Sequence, residues 1–235
     1  MTRNKILVFG DSITYGQLDL EMGGWVNRLR LRLANDSSIE SCHVFNMGIS
    51  GQTTAEILER MDRECAGRVM EDFNNIIVIA AGINDSQLID NVPLTDEAEF
   101  RSNAKALIET AKDFTSKIIL VGLTPVDDSR TVPFIWDKSK KWINERVAAF
   151  DEVISSVCSE MGVRYVYVYD QIDPATNADG LHPSEEGHEK LAEIMYNVIL
   201  DYCKEEKLSA AMIKKEGLFA SLKKALFKKR EKNQE

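Results

Sequence analysis

The sequence predicts an α/β fold, a three-layer α/β/α sandwich around a five-stranded parallel sheet. Two observations carry this reading. Five short runs rich in Val, Ile and Tyr alternate strictly with longer segments of helical period. The strands are also close to continuously apolar, as in Ile76-Ile77-Val78-Ile79-Ala80, which is the pattern of a strand covered on both faces.

In chain order, the strands are expected near 5–10, 42–48, 75–81, 117–123 and 163–169, and the helices near 24–35, 53–66, 97–114, 138–161 and 184–206. The first strand, Ile6 to Phe9, is too short for a signal-peptide core and is followed at once by Gly10 and Asp11. Capping residues mark several helix starts. Thr53 with Glu56 fits a capping box, Asp96 with Glu99 is a second instance, and Ser184 after Pro183 suits the start of the last core helix. The segment 127–137 is longer than a simple connection needs and carries Phe134 and Trp136, so it is expected to form a lid.

Composition narrows the function. A chain of 235 residues that is 44% hydrophobic suits one folded domain, and no stretch has the length of a membrane span. The default compartment is the cytoplasm. Cys42, Cys65, Cys158 and Cys203 are scattered, which disfavours a disulfide framework or a zinc site. The net charge of −9 argues against a nucleic-acid partner. That charge is uneven: residues 208–235 carry eight Lys or Arg against three Glu, leaving −14 on residues 1–207. The chain therefore divides into a domain at 1–207 and a basic amphipathic tail at 208–235. Leu218, Phe219, Leu222, Ala225 and Leu226 share one helical face of the tail. Peripheral membrane contact, docking on the domain and a frayed terminus are its three readings.

Polar residues interrupt the apolar strands at their carboxyl ends, the edge where open parallel sheets bind ligands. Strand one ends in Gly10-Asp11-Ser12, strand two in Asn46-Met47-Gly48 and strand three in Gly82-Ile83-Asn84-Asp85. A fourth cluster, Asp179-Gly180-Leu181-His182-Pro183, follows strand five. In order, these blocks resemble the SGNH, or GDSL-type, hydrolases over residues 1 to about 206, with Ile13 where the family motif has leucine. The resemblance implies the flavodoxin-like strand order 2-1-3-4-5 and serine-dependent hydrolysis of a small-molecule acyl ester, without a cofactor or metal. That family spans esterases, lipases, thioesterases, lysophospholipases and carbohydrate deacetylases.

The chemistry assigns a role to each residue. A serine hydroxyl needs a base, and His182 is the best-placed histidine to activate Ser12. Asp179 lies three residues earlier and can fix the imidazole tautomer. The backbone N–H groups of Ser12 and Gly48 and the Asn84 amide are expected to hold the oxyanion. Asp11 and Asp85 are expected to brace their turns. Thr14, Tyr15, Trp25, Ile83 and Leu181, with Phe134 and Trp136, are the expected pocket residues. His43 and His188 are read as structural or solvent-facing. Ser50 in Gly48-Ile49-Ser50-Gly51 lacks nucleophile-elbow spacing, because position 52 is Gln. A metallohydrolase built on Asp11, Asp85, Asp179 and His182 matches no ligand motif. The alternative from another class is a non-catalytic ligand-binding or membrane-tethered module on the same fold.

Overall fold

A computed structural model describes residues 3–39 and 41–203 of the chain. Five parallel strands form the central sheet: β1 Arg3–Gly10, β2 Ser41–Gly48, β3 Asn74–Ala80, β4 Ile118–Val121 and β5 Arg164–Val166. Their order is β2-β1-β3-β4-β5. The register pairs Gly10 with both Gly48 and Ala80, so three strand ends are level at one edge.

Five helices cover the sheet: α1 Trp25–Asn35, α2 Thr54–Ala66, α3 Glu97–Lys112, α4 Asn144–Met161 and α5 at 185–203. The two-residue alternation of the strands divides the core between the faces. Leu7, Phe9, Ile77 and Ile79 join Ile57, Phe100 and Phe150 from α2, α3 and α4. Ile6, Val8, Ile76 and Val78 join Trp25, Leu29, Leu191 and Met195 from α1 and α5. Central strands buried on both sides have no polar face, which is why they read as unbroken apolar runs.

The caps work through their side chains. Thr53 and Glu56 form a reciprocal capping box, Asp96 accepts from Glu99 N–H and Ser184 Oγ accepts from Gly187 N–H. The last two strands are shorter than the sequence suggests. Past Val121 the Leu123 N–H turns to the buried Asp151 carboxylate, and the chain after β5 tightens into a 3₁₀ turn at Tyr169–Gln171.

A second correction concerns 138–143, expected within a helix. Lys140–Lys141 instead pairs with Leu88–Ile89, which also pairs with Val92–Pro93 in a small antiparallel sheet. Strands of two residues are below the reach of any periodicity. The helix starts at Asn144, whose N–H is accepted by Asp128 and whose side-chain oxygen holds Val126 N–H. Among the described residues, no helix is long and apolar enough to cross a membrane. The tail at 208–235, including its apolar stripe, lies outside the described residues.

Candidate active site

At the end of β1, Asp11 caps the four-residue helix Ser12–Tyr15 by accepting from Ile13 N–H at 2.9 Å. That cap leaves Ser12 at the first helical position, where a backbone N–H has no acceptor within the helix. Asn46 of β2 steadies the far end of the helix by donating to the carbonyls of Thr14 and Tyr15.

Ser12 and His182, 170 positions apart, meet at the sheet edge. The Ser12 hydroxyl lies 2.8 Å from His182 Nε2, and His182 Nδ1 lies 2.7 Å from Asp179 Oδ2. A carboxylate only accepts, so Nδ1 carries the proton and Nε2 accepts from the serine. Asp179 Oδ1 takes the N–H groups of Leu181 and His182. Burial works to raise the Asp179 carboxyl, but the hydrogen bond and charge of His182 outweigh it and hold the group below its ordinary value. All three side chains are buried, with Ser12 at 5% and His182 at 4% exposure, so their interaction is shielded from bulk water.

The loop that carries this pair is clamped by the segment expected to be a lid. Arg130 donates to the carbonyls of Asn177 and Ala178 at 2.6 and 2.5 Å, and Asp127 N–H donates to Gly180 O. Phe134 is buried rather than poised above the site. It packs edge-on to Trp142, whose indole N–H donates to Ile83 O beside Asn84.

The groups expected to hold an oxyanion are placed unevenly. Asn84 is 5% exposed and donates one amide hydrogen to Gln52 O at 3.0 Å, leaving its second hydrogen for a ligand. Gly48 departs from expectation, because its N–H already donates to Asn46 Oδ1 at 2.9 Å. Packing explains its glycine: a Cβ there would lie 2.3 Å from Tyr15 N. Gly51, missed in the sequence, has the opposite character. It has φ +84°, open space where a Cβ would be, and an N–H with no acceptor among the described residues. Its loop is bracketed by Ser50 bonding to Gln17 and Gln52 bonding to Asn84. The usable signal was the second glycine of Gly48-Ile49-Ser50-Gly51.

The expected pocket residues are mostly core. Thr14 bonds to Ala80 O, and Trp25, Ile83 and Leu181 are buried. Beneath the Ser12 turn, Asp11, Ile13, Trp25, Ile83 and Thr124 line a cavity of about 30 Å³, the space of one or two waters. Apolar residues beside the motifs were needed for packing, and sequence alone does not separate that from lining a pocket. Tyr15 and Trp136 are the expected pocket residues that stay exposed.

Asp85 is buried beneath α2 and accepts both the N–H and the hydroxyl of Thr54, so it braces a turn. Burial raises its carboxyl above the ordinary value. His43 is exposed on β2. His188 is not solvent-facing: it is buried between Trp25 N–H and Gln17 O, and burial pushes it down to about 4. Among the described residues, no group of three or more His, Cys, Asp or Glu is arranged to hold a metal ion.

Burial also pushes Asp11 up to about 7, against the opposing pull of Ile13 N–H and His182. Its folded value therefore exceeds the unfolded one near 4. The resulting stabilisation is complete below pH 4 and is lost as pH rises through 7. Asp11→Asn keeps the oxygen that caps Ile13 and removes the titration. We expect it to raise the melting temperature at pH 8 and leave it little changed at pH 4. A variant that melts below the wild type at pH 8 would contradict the assignment.

Known structures share this architecture. A lipase/acylhydrolase from Enterococcus faecalis superposes with a TM-score of 0.68 at 27% identity, covering 83% of this chain and 95% of that one. An acetylxylan esterase from Geobacillus stearothermophilus gives 0.64 at 22% identity, covering 83% and 94%. A G-D-S-L lipolytic protein from Veillonella parvula gives 0.63 at 23% identity, covering 83% and 97%. No curated protein matches the chain in sequence. The model of the GDSL-like lipase/acylhydrolase family matches residues 8–190, across the turn of Ser12 and the loop of Asp179 and His182, and the chain belongs to that family.

Proposed function

We propose that this member of an ester-hydrolysing family cleaves a short-chain acyl ester through an acyl-enzyme on Ser12, within a catalytic unit of residues 1–207. The observation that carries the reading is the unbroken relay from Ser12 Oγ through His182 to Asp179, at 2.8 and 2.7 Å. His182 Nε2 takes the hydroxyl proton as Ser12 Oγ bonds to the acyl carbon. The Ser12 N–H, the free Asn84 amide hydrogen and, in place of Gly48, the Gly51 N–H receive the negative charge on the carbonyl oxygen. His182 then returns its proton to the departing alcohol oxygen. The same base draws a proton from water in the second half-reaction, which frees the acid and restores Ser12.

The preference for a short acyl group rests on packing. Thr14, Trp25, Ile83 and Leu181 are buried in the core rather than lining an open pocket, and the cavity beside the Ser12 turn is too small for a long chain. An acetylxylan esterase with the same fold is compatible with this size. A p-nitrophenyl ester series tests it. We expect kcat/KM to fall about tenfold or more between acetate and octanoate. Rates that rise with chain length would refute the short-acyl reading.

A further inference from the structure

Trp136 is an exposed aromatic beside the reacting histidine. Its ring centroid lies 6.2 Å from that of His182, with the planes only 25° apart. The indole thus stacks loosely beside the imidazole, and it remains 56% exposed. A large aromatic kept in water at the edge of a site leaves apolar area that a ligand can bury.

The turn that presents Trp136 is stiff. Phe134, 5% exposed, packs tilted against Trp136 at 5.5 Å and edge-on against Trp142 at 5.1 Å. Phe134 N–H donates to Lys140 O, and Asp137 holds both the N–H and the hydroxyl of Ser139. A fixed indole loses little freedom when a ligand settles on it.

Its position selects one half of the substrate. In the proposed reaction His182 Nε2 hands its proton to the departing oxygen, so the alcohol lies on the histidine side of the acyl carbon. An exposed aromatic wall beside the imidazole is therefore placed to meet the alcohol rather than the acyl group. Ile135, also exposed, adjoins it. A flat indole face gains most from a flat or ring-shaped partner, and less from a flexible chain that must be ordered to lie on it.

We propose that Trp136 forms an alcohol-side subsite that selects esters of ring-bearing alcohols by stacking. This rests on the proposed role of His182 and goes beyond it by naming the leaving group. The sequence places Trp136 among the expected pocket residues, and its position beside His182 assigns it to the alcohol side.

The test compares benzyl, n-heptyl and ethyl acetates, which share one acyl group. Benzyl and heptyl alcohols have equal carbon counts and the heptyl chain is the more hydrophobic, so hydrophobicity alone would favour n-heptyl acetate. All three form the same acetyl-enzyme, so kcat/KM reports ester binding and acylation, up to the departure of the alcohol, and not the shared deacylation step. The wild type should favour benzyl over n-heptyl acetate. Trp136→Ala should reduce the benzyl-to-ethyl ratio of kcat/KM about five- to tenfold, and Trp136→Phe should retain most of it. An equal loss on all three acetates would overturn the subsite and leave Trp136 as support for His182. An unchanged ratio would overturn it as well. Ester turnover that survives Ser12→Ala would instead strike the proposed mechanism, so the two failures are distinguishable.

Discussion

Ser12→Ala is expected to lower kcat/KM for an acetate ester by about 10⁴-fold or more, while the protein stays folded. The hydroxyl makes one hydrogen bond, to His182, so its removal costs the fold little. In the proposed mechanism the lost bond is the one from Ser12 to the acyl carbon. Ser50, the nearest competitor in sequence, bonds to Gln17 instead of a histidine. Residual turnover would come from the oxyanion donors acting on water. Kinetics with a p-nitrophenyl acetate assay, beside a thermal melt, would check this. Activity within tenfold of the wild type would exclude Ser12 as nucleophile.

The second large effect is expected at the acid end of the relay. Asp179→Asn keeps the oxygen that accepts from Leu181 and His182 N–H, so the loop should keep its shape. The new amide, however, presents a hydrogen to His182 Nδ1, where the carboxylate had accepted one. The imidazole is then held in the opposite tautomer, with its proton on Nε2 and no lone pair for Ser12. A loss of about 10³–10⁴ in kcat is expected, close to that of His182→Ala. Near-normal kcat in Asp179→Asn would mean that Asp179 only shapes the loop, with another group orienting the histidine.

How much of this was legible depended on distance along the chain. Asp179 and His182 are three residues apart, so their pairing follows from one turn. Ser12 and His182 meet only because the strands carry both to the same sheet edge, which the β/α alternation implied. The occupied N–H of Gly48 was not legible, because what holds it is the Asn46 side chain two residues away, and a rotamer leaves no mark in the sequence. The Lys140–Lys141 strand and the Arg130 clamp were hidden for a related reason. Both are made by pairings between distant segments, with partners set by tertiary structure rather than local pattern. Trp25 and Leu181 show the converse problem, since a large apolar residue beside a motif serves core and pocket equally well in a sequence.

Covalent trapping tests the central claim most directly. A p-nitrophenyl phosphonate or phosphate triester should phosphonylate or phosphorylate the nucleophile, respectively, and release one equivalent of p-nitrophenol. Tryptic digestion separates Ser12, in the peptide 6–28, from Ser50, in the peptide 33–60. The expected result is a single adduct on Ser12, with activity lost in proportion and no adduct in the Ser12→Ala protein. An adduct on Ser50 or another residue, or full ester hydrolysis by protein that carries the adduct on Ser12, would contradict the account.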